Sequence, residues 1–122
     1  KIVQVHKNLL ISTHAAMYLA YHAFEGKRYL EAIEYFSWLL QNNPKYPLSW
    51  VFHLGLAESY YYLKQTEGAS LEYNWVIENA PLSDAKAQAA LRIGDLYLDR
   101  FQYEQALANY FQAIKHFPDQ SN

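Results

Sequence analysis

The sequence predicts an all-α fold of three stacked helix-turn-helix units, and three observations carry the prediction. Proline recurs at Pro44, Pro81 and Pro118, each 37 residues from the last. Small residues keep the same interval at Ala20, Ala57 and Gly94, and again at Ala32, Ala69 and Ala106. Larger side chains follow it too: Phe36, Tyr73 and Tyr110, then Leu19, Leu56 and Ile93, then Ala23, Tyr60 and Tyr97. Registers of several chemical kinds sharing one period mark an internal repeat, each copy of which buries its apolar face against its neighbours.

The elements follow in order. Residues 1–12, with Ile2, Val3, Val5, Leu9, Leu10 and Ile11, read as an N-terminal helical extension or the remnant of a preceding unit. In the first unit, about 13–46, Ala16, Leu19, Ala20 and Ala23 recur at helical spacing. Gly26 then marks a break, and Ala32, Phe36, Leu39 and Leu40 form the apolar face of a second helix that Pro44 ends. The second unit, about 50–83, repeats this with Leu56, Ala57 and Tyr60, then Ala69, Tyr73, Val76 and Ile77, up to Pro81. Pro47 and Ser49 are expected to open it. The third, about 87–118, is expected to open at a Ser83-Asp84 cap. It continues with Ala90, Ile93, Gly94 and Tyr97, then Ala106, Tyr110, Ala113 and Ile114, up to Pro118.

Composition supports a folded single domain. The chain has 122 residues, 52% of them hydrophobic and 18% charged, which is far from a disordered composition. It has no cysteine, so disulfide scaffolds, thiolate metal sites and thiol catalysis are excluded. Net charge is −2, divided as +2 over residues 1–50 and −4 over residues 51–122. Neither half is basic enough for a nucleic-acid surface, and no apolar run approaches the ~18 residues of a membrane span.

Counted from Thr13, Trp50 and Ala87, each unit has a small residue at its eighth position, Ala at the twentieth, an aromatic at the twenty-fourth and Pro at the thirty-second. Tyr stands at the eleventh in the second and third units. This pattern resembles the tetratricopeptide repeat family over residues 13–118, although Ala23 replaces the eleventh-position Tyr and Ala16, His53 and Ala90 replace a fourth-position Trp. The resemblance implies a right-handed α-solenoid with a concave inner face. Units of 37 rather than 34 residues are similar to those of bacterial envelope members, which implies the periplasm, with the cytoplasm as the alternative. An extended loop or a lengthened first helix would absorb the extra residues.

The resemblance also implies a groove lined by the second, fifth, ninth, twelfth and thirteenth positions. These are His14, Met17, Tyr21, Phe24 and Glu25; Val51, Leu54, Glu58, Tyr61 and Tyr62; and Gln88, Leu91, Asp95, Leu98 and Asp99. Such a face suits a protein or peptide with apolar anchors and basic residues, with Glu58, Asp95 and Asp99 selecting positive charge. Neither Lys nor Arg stands at any of these positions, so an acidic peptide end is disfavoured. The ordinary alternative is that the aromatics pack on neighbouring helices and the carboxylates are solvated.

Other surfaces suggest assembly. Trp38 and Trp75 share a register and would either form an exposed ridge or cover the inter-unit loops against Tyr46 and Leu82. The third unit is apolar where a terminal unit should be polar, with Phe111 and Phe117 replacing smaller or polar residues. Further repeats of a longer chain, or a homo-oligomer, would cover it. A structural assembly module is therefore the alternative to a peptide-binding scaffold. Catalytic and cofactor signatures are missing. The five His form no His-Glu-x-x-His run, no Gly-rich phosphate loop occurs, and no metal, cofactor or enzymatic reaction is expected.

Overall fold

The structure, a computed structural model, describes residues 9–116. It contains α1 (Leu9–Glu25), α2 (Tyr29–Asn42), α3 (Ser49–Tyr62), α4 (Thr66–Asn79), α5 (Ser83–Asp99) and α6 (Tyr103–His116). No strand occurs among the described residues. Extensive contacts join each helix to the one before and after it in the chain, so the helices form a linear α-solenoid of three hairpins.

Each hairpin turns in the same way. The amides of Arg28, Gln65 and Gln102 donate to the carbonyls of Ala23, Tyr60 and Tyr97, five residues back. The residue before each amide is left-handed: Lys27 at φ 63°, Lys64 at φ 64° and Phe101 at φ 61°. This is a Schellman ending, a position that usually holds glycine. Gly26, expected to make the break, sits one residue too early and has no positive φ. The left-handed conformation costs a non-glycine residue on the order of 1 kcal/mol, so tertiary packing rather than local preference holds these turns.

The extra residues of the long repeat are absorbed in two ways. Between α2 and α3 they make a longer connection, Asn43–Leu48, and α3 has 14 residues. Between α4 and α5 the connection is only Ala80–Leu82, and α5 has 17 residues. Both second helices stop two residues before their proline, with the Asn43 and Ala80 amides donating to Leu39 and Val76. The expected caps are corrected. Ser49 and Ser83 are the first helical residues, and Leu48 and Leu82 hold the capping positions with no side-chain cap bond.

The small residues lie inside the hairpins, with Ala20, Ala32, Ala57 and Ala69 fully buried. Gly94 is buried as well, and a Cβ there would approach Tyr110 Cε1 to 2.6 Å. Two cores result. The first gathers Ala16, Ala20, Ala32, Phe36 and Leu39 and is closed by Phe52 and Leu56 of α3. The second gathers Ala57, Ala69, Tyr73 and Val76 and is closed by Ala89, Ile93 and Leu96 of α5. The cores of the first two units are thus each completed by the leading helix of the next. No described helix is long and apolar enough to cross a membrane.

Candidate functional site

The leading helices α1, α3 and α5 place their ninth, twelfth and neighbouring positions along one face. Between α1, α2 and α3 lies a groove of about 320 Å³, lined by Tyr21, Phe24, Glu25, Phe36, Val51, Leu54, Gly55 and Glu58. Six of these eight come from the residues expected to line an inner face; Phe36 and Gly55 do not. A hollow of about 340 Å³ adjoins it on α1, sharing Tyr21 and Glu25 and adding Met17, Tyr18 and His22. A third, of about 420 Å³, is lined by Asp84, Ala87, Gln88, Leu91, Arg92 and Asp95 on α5.

Phe36 and Gly55 explain the groove. Phe36 is fully buried from α2, and a Cβ on Gly55 would come within 2.6 Å of its Cε1. The missing side chain lets the ring reach through to form the floor. Tyr21 meets the same ring edge-on at 5.2 Å. Burial pushes the Tyr21 hydroxyl up to about 12, so it stays neutral under ordinary conditions.

The other two units build the same registers with a polar pair. In the second, the Tyr73 hydroxyl donates to Glu58 Oε2 at 2.8 Å. In the third, the Tyr110 hydroxyl donates to Asp95 Oδ1 at 2.5 Å. A twenty-fourth-position Tyr therefore accompanies a ninth-position carboxylate, whereas Phe36, which cannot donate, accompanies Tyr21. That substitution makes the first unit's share of the face apolar.

Arg92, from the sixth position of the third unit, lies across the middle of the face. Its Nη2 donates to Glu58 Oε1 at 3.3 Å and to the Tyr62 hydroxyl at 3.3 Å, and its Nε donates to Glu58 Oε2 at 3.4 Å. The guanidinium carbon stands 4.5 Å from the Tyr61 ring centroid and 5.8 Å from that of Tyr62. Burial alone would lower its pKa, but Glu58, helped by Tyr73 and Tyr61, outweighs burial and holds it above its ordinary range. Tyr73 is raised by burial first and by Glu58 second.

These contacts revise the electrostatic expectation. Glu58 is engaged by Tyr73 and Arg92, so it is not a free carboxylate waiting for a basic partner. Asp95 is engaged by Tyr110 and, at 3.5 Å, by Tyr61. Asp99 is more exposed and sits 4.0 Å from Lys64, a weak surface pair. A cation nevertheless reaches this face from outside those fifteen positions, on Arg92. Arg92 was missed because the sixth position is not among those the family pattern assigns to a groove.

Tyr21, Phe24, Leu54 and Glu58 thus share one groove, while Met17 lies in the hollow beside it and Leu91 and Asp95 in the third. Tyr61 and Tyr62 lie between, in an aromatic run. Phe24 contacts Tyr29 and Tyr62, Tyr29 stacks on Tyr62 at 5.2 Å, and Tyr62 meets Tyr61 edge-on at 5.3 Å. Leu98 is exposed beyond the third hollow.

The tryptophans do not form an exposed ridge. Trp75 is partly buried and stacks on His53 at 3.7 Å, whose Nδ1 lies 2.6 Å from Glu72. Trp38 is partly buried against the first core, as is Tyr46 of the long connection. Phe111 is exposed on α6, and Phe117 lies outside the described residues.

Two tyrosines with raised hydroxyl pKa values give a pH dependence. Burial and Asp95 push Tyr110 up to about 12, and burial pushes Tyr21 up to about 12. The unfolded chain loses these protons near about pH 10 while the folded chain retains them, so stability falls as pH rises through that window. Thermal melts should give a midpoint that declines as pH rises from about 10 toward 12. Tyr110→Phe should decline less steeply, and an unchanged slope would show that Tyr110 is not held protonated.

No family model matches this sequence, and no curated protein shows detectable similarity to it.

Proposed function

We propose that this chain is a protein-interaction scaffold of the tetratricopeptide-repeat kind, binding a peptide or helix of a partner in the groove between α1, α2 and α3. The observation that supports this is the groove's chemistry. About 320 Å³ of open space is walled by Tyr21, Phe24, Phe36, Val51, Leu54 and Gly55, with Glu25 and Glu58 at its edges. Glu58 is already engaged, which leaves Glu25 as the exposed carboxylate of the lining. The anchor is therefore an aromatic or long aliphatic side chain, and a cation on the partner adds little beyond a contact with Glu25.

The test is selection of random dodecapeptides displayed on phage, with immobilised wild-type chain and a Val51→Trp variant whose new indole fills the groove. Circular dichroism establishes that both are folded. Peptides recovered on the wild type should be rich in Trp, Phe and Leu, should bind with little dependence on salt, and should lose about tenfold or more in affinity for Val51→Trp. Peptides that bind both proteins equally, or that are selected only for Lys and Arg, would remove the groove as the binding site.

A further inference from the structure

The two boundaries between units present corresponding residues, and only the second is filled from within. Arg92 stands 37 residues after Gly55. The residues around its guanidinium correspond, by the same interval, to residues that line the groove beside Gly55. Glu58 corresponds to Tyr21, Tyr61 to Phe24, Tyr62 to Glu25 and Tyr73 to Phe36. At the second boundary Arg92 donates to Glu58 through Nε and Nη2 and to the Tyr62 hydroxyl through Nη2. Its guanidinium carbon lies 4.5 Å from the Tyr61 ring centroid. At the first boundary Gly55 has no side chain to offer, and a groove of about 320 Å³ stands open among Tyr21, Phe24, Glu25 and Phe36.

Arg92 thus shows what such a site takes: a long side chain whose flat end lies over the twelfth-position ring. What differs between the two boundaries is charge. The second site faces its occupant with the Glu58 carboxylate, which the Tyr73 hydroxyl holds at 2.8 Å. The first has Tyr21 and Phe36 at those two positions, so it has neither the carboxylate nor the hydroxyl that would hold it. A guanidinium placed there would lose water and meet only Glu25, an exposed carboxylate whose pairing is worth little. An uncharged aromatic or aliphatic end bears no such cost and covers the rings of Tyr21 and Phe24.

We infer that the residues at the ninth and twenty-fourth positions set which side chain each boundary accepts. Tyr21 and Phe36 make the open site select an uncharged anchor of a partner peptide. Glu58 and Tyr73 make its counterpart a guanidinium site, which Arg92 occupies from within the chain. The role in partner selection rests on the proposal that the groove binds a peptide; the charge rule itself does not need a peptide to be tested.

Thermal melts with ethylguanidinium, and with its neutral isostere ethylurea as control, test that rule. The proteins are the wild type, Arg92→Ala, which empties the second site, and Tyr21→Glu with Phe36→Tyr, which gives the first site the residues of the second. At tens of millimolar, ethylguanidinium should raise the midpoint of each variant by about 3 °C or more relative to the wild type, and ethylurea should not. A third arm needs no variant. A displayed peptide that binds the wild type, with its apolar anchor located by alanine scanning and replaced by Arg, should lose about tenfold or more in affinity. Tyr21→Glu with Phe36→Tyr should recover that loss. Ethylguanidinium that shifts the variants no more than the wild type, ethylurea that shifts them equally, or an Arg-anchored peptide that binds the wild type as well as its parent would each overturn the inference. Should no displayed peptide bind at all, the groove reading fails by itself, and the melts still decide the charge rule. If one variant does not fold, the melts of the other decide it.

Discussion

Glu58→Ala is expected to lower the melting temperature by roughly 10 °C, a loss of about 3 kcal/mol. The carboxylate joins three elements. It stands on α3, accepts the Tyr73 hydroxyl from α4 at 2.8 Å, and receives Arg92 from α5 at 3.3 Å. Its side chain is 12% exposed and that of Arg92 is 25% exposed, so neither group is free to exchange its partner for bulk water. Removal leaves a half-buried cation over two tyrosine rings and a hydroxyl on a fully buried ring with no acceptor. Glu58→Gln separates these effects. It retains an acceptor for Tyr73 and removes the charge facing Arg92, so about half the loss should remain. A cycle with Tyr73→Phe should give a coupling of about 1 kcal/mol or more, measured by urea unfolding. Additive single and double variants would show that the three residues do not act together. Charge reversal at Glu58 is therefore an unsuitable probe of partner binding, because the folded state would be weakened before any partner was added.

The hairpin architecture was legible because it rests on periodic burial. Ala20, Ala57 and Gly94 had to be small where two helices touch, and Pro44 and Pro81 had to end the second helices. Both demands act at fixed positions in every unit, so both leave a period in the sequence. The turns were not legible in the same way. A left-handed residue is usually betrayed by glycine, yet Lys27, Lys64 and Phe101 hold that conformation, and none of them is glycine or another residue that favours it. Their position is imposed by the helices on either side, and only the spacing of those helices records it.

The candidate site shows the same division. Of the aromatic and aliphatic residues that the family resemblance assigns to an inner face, Tyr21, Phe24, Val51 and Leu54 share one groove, because those positions recur on one side of each leading helix. The pairing of charges was hidden, because Arg92 reaches Glu58 across a unit boundary 34 residues away. One signal was available within the sequence. Tyr73 and Tyr110 accompany Glu58 and Asp95, and Phe36 accompanies Tyr21, so loss of the hydroxyl donor and loss of the carboxylate occur in the same unit. Comparing the units with each other, rather than each with a family pattern, identifies the first as the apolar one.

Gly55→Ala is expected to destabilise the chain by about 2 kcal/mol, against the sign that helix preference gives. Replacing glycine by alanine inside an exposed helix stabilises it by about 1 kcal/mol, because alanine loses less backbone freedom. Here Gly55 lies within α3, and its missing Cβ is occupied by the Phe36 ring, with Cε1 at 2.6 Å from where the methyl would stand. Phe36 is fully buried and abuts Tyr21, so the ring can yield only by moving against Tyr21 or into the groove it floors, which disturbs the packing of the first core. The steric penalty must therefore exceed the propensity gain. Phe36→Leu alone should also destabilise, since it empties part of the first core. Combining it with Gly55→Ala should be better tolerated than the sum of the two, by about 1 kcal/mol or more, because each change makes room for the other. Chemical denaturation of the four proteins measures this directly. A stabilised Gly55→Ala, or strictly additive effects, would mean that the ring does not lie against Gly55. The double variant also distinguishes packing from recognition. It restores much of the fold but removes the aromatic floor, so peptides selected on the wild-type groove should bind it poorly even though the protein is folded.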